Sequence, residues 1–317
     1  MIFRGKYLQI WHMKLTCTIL FIFLVGHLLA QVPDSLLNHF NYNKDIPFEF
    51  KVERTEIQEY ILVNTIQFKN DKSETISAFL IEPKAIGRFP AIIYQHWGED
   101  NKEQFLGEAE RMAKQGFICL LINAPWLRPP HRNKPFLQIS YTIYTQGVID
   151  LQRSLDLMQT RGNLDTSKIY FVGHSYGAHM GGILAGIESR FKGFILMSGT
   201  ASLTELLKNS DDKTIRLLRN SYPDEFEKWR YILKPLNAEN YIRYSRVPVF
   251  FQYALNDEYN VDELEAKKFV GITPKIDLLQ FYQSNHTLNK KAEEDRIEWL
   301  IQRYQIDDSQ NQFPQRN

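Results

Sequence analysis

Short apolar runs alternate with longer amphipathic stretches along most of the chain. The continuous apolar runs lie at residues 91–94, 117–122, 169–172, 194–197, 247–253 and 276–281. Such runs are typical of parallel strands that are buried on both faces. Helical periodicity marks residues 103–115, 145–160, 176–187, 262–269 and 288–304. Strand and helix in repeated order predict an α/β fold with a doubly wound, mostly parallel sheet.

Two segments depart from this alternation. Residues 56–68 and 75–81 alternate imperfectly around a polar turn, which predicts an early antiparallel strand pair. Residues 201–244 are helical, charged and rich in aromatic side chains, and they interrupt the order of strands and helices. We expect this segment to form a small helical cap over a site at the carboxyl ends of the strands, and a solvated helical excursion is the alternative. The tail from residue 306 is expected to be disordered.

The first thirty residues have a different character. Leu15 to Ala30 is an uncharged, mostly apolar run that follows Arg4, Lys6 and Lys14. This pattern predicts a secretory signal peptide over residues 1–30 and one domain over residues 31–317. The apolar run is short for a membrane span, which needs about 20 residues. We therefore expect an exported protein, periplasmic or secreted, and an uncleaved signal anchor is the alternative.

Composition limits the class of partner. The 317 residues are 44% hydrophobic, and Lys plus Arg (38) balance Asp plus Glu (37) to a net charge of +1. Without a basic block, neither nucleic acid nor an anionic membrane surface is an expected partner, and no stable membrane association is expected after signal cleavage. Cys119 is the only cysteine beyond the first thirty residues, which excludes an internal disulfide and a Cys-x-x-Cys metal site there. A small-molecule substrate is expected, and the oligomeric state is not predicted.

The strongest chemical signal is the sequence Gly173-His174-Ser175-Tyr176-Gly177, which follows an apolar run and precedes a stretch of small residues. This is G-x-S-x-G between a strand and a helix, where a sharp turn presents the serine hydroxyl above a sheet. The glycines leave room for the strained backbone. Because so short a motif also arises by chance, the prediction that Ser175 is a nucleophile needs support from elsewhere in the chain.

A serine hydroxyl is a weak nucleophile, so it needs a base and an acid that orients the base. In this architecture the order along the chain is serine, acid, histidine. Only His179 and His286 follow Ser175. His179 lies on the same helix as the serine, four residues along, whereas His286 lies just past the last strand. His286 is therefore the expected base by elimination, and a surface-loop histidine is the alternative.

The acid is expected in the loop after the strand at 247–253. This loop offers Asp257, directly followed by Glu258, and Asp262 lies a little further on. Asp257 is the preferred candidate because it lies just beyond the turn-forming residues. Glu258 and Asp262 remain as weaker substitutes, since either could be a solvated charge at the start of a helix.

Backbone amides must stabilise the oxyanion that develops when a serine attacks an acyl carbon. One such amide is expected from Tyr176, directly after the nucleophile. The other should lie in the loop after the strand at 91–94, which reads Gln-His-Trp-Gly-Glu. Either Trp97 or Gly98 would complete the oxyanion hole, and Trp97 is the preferred candidate.

Together these residues resemble the α/β-hydrolase superfamily over about residues 56 to 304. The early strand pair, the Q-H-W-G loop, G-H-S-Y-G, the N-D-E loop and the late S-N-H look like the dienelactone hydrolase, acetyl xylan esterase and prolyl-oligopeptidase-like branch. The resemblance implies Ser175 as nucleophile, Asp257 as acid and His286 as base, with no metal or organic cofactor. The sequence departs from that pattern in having His-Trp-Gly in the oxyanion loop and Asn285 before the base.

The expected function is that of a serine hydrolase acting on carboxylic esters through an acyl-enzyme intermediate. A serine peptidase of the prolyl-oligopeptidase type, acting on short peptides, is the first alternative, although such enzymes usually carry a large N-terminal gating domain. The second alternative is a secreted, non-catalytic binding module. In the loop 124–135 we expect Trp126, Arg128 and His131 to line the rim of the site, with Arg128 either pairing with an acidic substrate group or solvated.

Overall fold

A computed structural model describes residues 31–312 except for residues 133, 135, 212, 260 and 262. The chain divides into two units, residues 1–33 and 34–317. Of the first unit only residues 31–33 are described, so the predicted signal peptide lies outside the described residues. Among the helices of the described ranges, none combines the length and the apolar character that a membrane span requires.

In the described part of the second unit, a nine-stranded sheet forms the centre of the fold. Its strands are β1 (Lys51–Ile57), β2 (Ile61–Lys69), β3 (Thr75–Pro83), β4 (Phe89–Gln95), β5 (Ile118–Ile122), β6 (Leu164–His174), β7 (Gly193–Met197), β8 (Val249–Ala254) and β9 (Ile276–Tyr282). They are ordered β1-β2-β3-β5-β4-β6-β7-β8-β9 across the sheet. The first four strands in this order pair antiparallel and all later pairs are parallel. This topology confirms the predicted α/β-hydrolase fold.

Helices connect the strands as the periodicity predicts. They are α1 (Asp34–Leu37), α2 (Leu106–Lys114), α3 (Phe136–Gln159), α4 (Tyr176–Ile187), α5 (Leu203–Asn209), α6 (Lys213–Ser221), α7 (Pro223–Leu233), α8 (Glu239–Ile242), α9 (Glu263–Gly271) and α10 (Lys290–Gln312). Short 3₁₀ turns lie at Asn38–Phe40, Pro125–Leu127 and Lys234–Leu236. Helix α3 begins before the predicted residue 145 because Ser140, Ile143 and Tyr144 extend its buried face.

Three further predicted elements differ from the structure. The single strand expected at 56–68 is two strands, β1 and β2, joined by a turn in which the Gln58 amide donates to the Ile61 carbonyl. Strand β9 is the edge of the sheet rather than a strand covered on both faces, and its Ile276 and Leu278 are exposed. Helix α10 continues to Gln312 through the tail that was expected to be disordered, and residues 313–317 lie outside the described residues.

Helices cover both faces of the sheet. On one face, Met112 of α2 and Trp299 of α10 join a buried cluster with strand residues such as Tyr170. On the other face α4 lies so close that a Cβ on Gly181 would come within 2.5 Å of the Phe171 ring. The close packing of α4 on the sheet fixes the position of its first turn and of Ser175, which precedes it.

Candidate active site

Ser175 lies in the turn between β6 and α4, at the carboxyl end of a central strand. Its backbone has a positive φ of 52°, a strained conformation for a residue with a side chain. A Cβ on Gly173 would lie 2.3 Å from the Gly177 carbonyl oxygen, and one on Gly177 would lie 2.2 Å from that of Gln95. The two glycines of the motif are therefore required by space, and the turn presents Ser175 to a cavity.

Asp257 and His286 follow strands β8 and β9 and meet behind the same cavity. His286 Nδ1 donates to Asp257 Oδ2 at 2.7 Å, and these side chains are only 2% and 1% exposed. A neutral imidazole with its proton on Nδ1 has its lone pair on Nε2. No hydrogen bond joins Ser175 to His286 in the residues that the structure describes, and such bonds commonly tighten only when substrate binds.

The backbone of His286 is held as firmly as its ring. Its amide donates to Glu258 Oε2 at 2.9 Å, and its carbonyl accepts from His174 Nε2 at 2.8 Å and from Ser198 Oγ at 3.3 Å. The hydrogen bond from the His286 amide lowers the pKa of Glu258 below its ordinary value. The structure thus brings Asp257 to the imidazole and Glu258 to the backbone, whereas Asp262 lies outside the described residues.

Aromatic rings enclose the imidazole of His286. The ring centroids of Tyr259, His174 and Trp97 lie 4.7, 5.0 and 5.6 Å from it. The Tyr259 hydroxyl donates to Glu99 Oε1 at 2.6 Å. This hydrogen bond joins the loop after β8 to the Q-H-W-G loop. The enclosure limits the rotamers of the imidazole and keeps water away from its faces.

Gln104 and His174 belong to this arrangement but were not identified from the sequence. Gln104 Nε2 donates to His174 Nδ1 at 2.6 Å, and Gln104 Oε1 accepts from the Trp97 amide at 2.9 Å. Burial lowers the pKa of His174 to about 3, so its ring is neutral with Nδ1 as acceptor. His174 is the second residue of the G-x-S-x-G motif, which was a usable signal, but nothing in the sequence placed Gln104 beside it.

The candidate oxyanion donors have different surroundings. Tyr176 is the first residue of α4, where an amide has no acceptor within its own helix. The Trp97 amide, the preferred second donor, is bound to Gln104. Gly98 lines the cavity, and nothing would lie within 4 Å of a Cβ there.

His179, the histidine after Ser175 that is not the expected base, contacts backbone carbonyls. Its Nδ1 lies 3.2 Å from the Thr200 carbonyl and its Nε2 lies 2.8 Å from the Leu236 carbonyl. We define the helical insertion as residues 201–244. Leu236 belongs to it, and Thr200 directly precedes it. Burial lowers the pKa of His179. The imidazole therefore ties the insertion to α4.

The histidine of the Q-H-W-G loop is likewise committed to the backbone. His96 Nδ1 lies 2.6 Å from the Trp97 carbonyl, and Nε2 accepts from the Ala124 amide at 3.0 Å. Burial lowers its pKa to about 4. Over the described ranges, no group of three or more His, Cys, Asp or Glu side chains is arranged to hold a metal ion.

A cavity of about 680 Å³ opens above Ser175 and His286. The predicted loop residues Trp126 and His131 line it, as do residues of helices α5 and α6 in the helical insertion. The insertion is fastened beside the cavity, because Trp229 Nε1 donates to Ser140 Oγ of α3. The site is thus a deep, partly covered pocket at the carboxyl ends of the strands.

Arg128 is neither at the rim nor solvated, so both expectations for it were wrong. Its side chain is 4% exposed and pairs with Asp150, while Nη1 lies 3.4 Å from Glu74 Oε2. Asp150 is fully buried and also accepts from Asn70 and Gln146. Arg128 therefore anchors the loop 124–135 on α3 from beneath and does not face substrate.

Both the sequence and the fold resemble those of known proteins. A sequence profile of the prolyl oligopeptidase family matches residues 103–305. Acetyl xylan esterase 1 from Thermoanaerobacterium sp. JW/SL YS485 superposes with a TM-score of 0.73 at 13% identity, covering 86% of this chain and 95% of that one. The acetyl xylan esterase from Paenibacillus sp. R4 superposes with a TM-score of 0.71 at 17% identity, covering 84% of this chain and 92% of that one. An acylaminoacyl peptidase superposes with a TM-score of 0.60 at 13% identity, covering 80% of this chain and 49% of that one. None of the curated proteins matches the sequence.

Proposed function

The chain belongs to the prolyl oligopeptidase family of hydrolases, and on that premise we propose that it is a serine hydrolase that cleaves carboxylic esters. Ser175 is the nucleophile, His286 the base and Asp257 the acid. The observation that carries the proposal is the 2.7 Å hydrogen bond from His286 Nδ1 to Asp257, at the wall of a cavity that Ser175 also lines.

In the acylation step, Ser175 Oγ attacks the acyl carbon while its proton passes to His286 Nε2. Asp257 stabilises the imidazolium that forms. The Tyr176 amide and one amide of the Q-H-W-G loop stabilise the oxyanion. The second amide is that of Gly98, or that of Trp97 once its hydrogen bond to Gln104 is broken. The bond from the acyl carbon to the alcohol oxygen then breaks, and His286 returns the proton to the departing alcohol.

In the deacylation step, water takes the place of the alcohol. His286 Nε2 accepts a proton from the water as its oxygen attacks the acyl carbon of the acyl-enzyme. The intermediate collapses, Ser175 Oγ leaves and regains the proton, and the carboxylic acid is released. The helical insertion acts as a cap in both steps. This role is supported by the apolar side chains of α5 and α6 that line the cavity.

A peptidase is the second candidate, because the matching family is one of oligopeptidases and an acylaminoacyl peptidase shares the fold. The ester assignment is supported by the two acetyl xylan esterases, whose chains are covered almost throughout. An ester and the amide of the same acyl group distinguish the two candidates, because a peptidase must also protonate and expel an amine.

The experiment measures kcat/KM for matched ester and anilide pairs with the purified protein, together with aminoacyl-proline and acetylated-sugar substrates. We expect ester cleavage that Ser175→Ala abolishes. Faster turnover of aminoacyl-proline substrates than of every ester would favour the peptidase. Binding without turnover of any substrate would favour a non-catalytic module.

We also propose that the protein works outside the cytoplasm. The support is the charged, apolar and small-residue order of its first thirty residues. Expression in a bacterial host, with N-terminal sequencing of the periplasmic fraction, should find Gln31 as the first residue. Retention of residues 1–30 in a membrane fraction would favour the signal anchor.

A further inference from the structure

The inner wall of the cavity is built from apolar side chains. Leu203, Leu206 and Leu207 of α5 face it from the helical insertion, and Ile143 and Tyr144 of α3 face it from the main domain. All of them except Leu206, which is partly buried, are buried in the fold. A substrate group that enters this part of the cavity therefore exchanges water for hydrocarbon.

The polar groups of the inner wall already have partners. Ser198 Oγ donates to the His286 carbonyl and Thr200 Oγ1 bonds to Glu265. The two nitrogens of His179 face the Thr200 and Leu236 carbonyls, to one of which a neutral imidazole donates. These groups are therefore committed to the protein and not to a bound ligand. Sugar hydroxyls buried here would lose their hydrogen bonds to water, at a cost that an apolar group does not incur.

Charged side chains lie at the mouth of the cavity instead. Glu99, Arg132 and Lys134 line it and are exposed to solvent. The site thus has an apolar interior and a polar entrance, an arrangement that orients a substrate with its hydrocarbon part inside.

The size of the cavity points the same way. At about 680 Å³ it lies within the range of pockets that enclose a drug-sized ligand, roughly 300–1,000 Å³. An acetyl group would leave most of this space unfilled. Each further methylene that is buried should raise kcat/KM by about fourfold until the cavity is full.

We infer that the substrate is an ester carrying a bulky apolar group, of roughly six or more carbon atoms, on one side of the scissile carbonyl. This inference rests on the proposed function and adds the class of substrate to it. The apolar group lies against α5 and α3, and the polar remainder of the substrate lies toward the entrance.

Two ester series test the inference: 4-nitrophenyl esters from acetate to decanoate, and acetates of alcohols from ethanol to decanol. In the wild-type protein kcat/KM should rise with chain length in at least one series. Leu206→Trp should lower the ratio of long-chain to short-chain kcat/KM in that series at least tenfold, because the indole fills the cavity. Leu217→Trp is the matched control, since Leu217 is on α6 but is 63% exposed and does not line the cavity.

The outcomes distinguish a wrong substrate class from a wrong function. A decline in kcat/KM with chain length along both series would overturn the inference while leaving a serine esterase. An unchanged ratio in folded Leu206→Trp would also overturn it. Failure of the proposed function is a different result: no ester is turned over and Ser175 reacts with no active-site probe.

Discussion

Asp257 accepts a hydrogen bond from His286 Nδ1, while its neighbour Glu258 accepts one from the His286 backbone amide. Two adjacent carboxylates thus serve one histidine in different ways. The first fixes the tautomer of the imidazole, and the second fixes the position of the loop that carries it. This division gives the acid of the proposed triad a test that sequence position alone does not provide.

Asp257→Asn should lower kcat for an ester by about 10³- to 10⁴-fold without unfolding the protein. The amide of asparagine can hold the imidazole in the wrong tautomer, with the proton on Nε2 and none for Nδ1 to donate. Steady-state kinetics on a 4-nitrophenyl ester measure the effect, and circular dichroism checks the fold.

Glu258→Gln is the matched control for that variant. Glutamine keeps an oxygen that accepts from the His286 amide, so kcat should fall less than about tenfold. A loss in Glu258→Gln as large as that in Asp257→Asn would move the acid role away from Asp257.

The sequence predicts those parts of the site that depend on neighbouring residues or on a short list of candidates. The turn at Ser175 depends on glycines two residues away, and His286 is reached by elimination among histidines. The burial of Arg128 does not follow from the sequence, because its partners, Asp150 and Glu74, come from other elements of the fold. A loop arginine followed by prolines carries no local sign of burial.

Contacts between distant loops also escape the sequence. Gln104 reaches His174 across 70 positions, and Tyr259 reaches Glu99 across 160. The overall fold is easier to predict, because each buried strand is a continuous apolar run. The edge strand β9 has the same kind of run, so only its place in the sheet distinguishes it.

His174→Ala should lower kcat about 10- to 100-fold with little change in KM. The substitution removes the donor to the His286 carbonyl and leaves Gln104 without its acceptor, so the loop that carries His286 can shift. His174→Gln, whose amide can still donate to that carbonyl, should recover part of the loss. Kinetics on one ester compare the three proteins, and an equal fall of both variants in stability but not in kcat would limit His174 to a structural role.

The pH dependence of stability should report the same histidine. Burial lowers the pKa of folded His174 to about 3, against an ordinary value of 6.5. Below pH 6.5 the unfolded chain therefore binds a proton that the folded protein does not, so the free energy of unfolding falls as the pH falls. Between pH 5.5 and 4.5 this contributes about 1 kcal/mol per pH unit.

Urea unfolding of wild type and His174→Gln at these two pH values measures that contribution. The wild type should lose more stability on acidification than the variant, by about 1 kcal/mol. Other groups, His96 among them, titrate alike in both proteins and cancel. Identical losses would show that His174 is protonated in the folded state.

Arg128→Met should destabilise the protein by about 3–5 kcal/mol, because it leaves the carboxylate of Asp150 buried without its cation. Arg132→Met, on the same loop but exposed, should change stability by less than about 0.5 kcal/mol. Urea unfolding at pH 7 compares the two. A small effect of Arg128→Met would mean that the loop 124–135 does not depend on this ion pair.

Covalent labelling shows directly whether Ser175 is an activated nucleophile. The folded protein is incubated with a fluorophosphonate, and mass spectrometry locates the adduct. We predict one adduct per chain, on Ser175, that is absent from Ser175→Ala and forms far more slowly in His286→Ala. An unlabelled wild-type protein, or an adduct on another residue, would contradict the proposed mechanism.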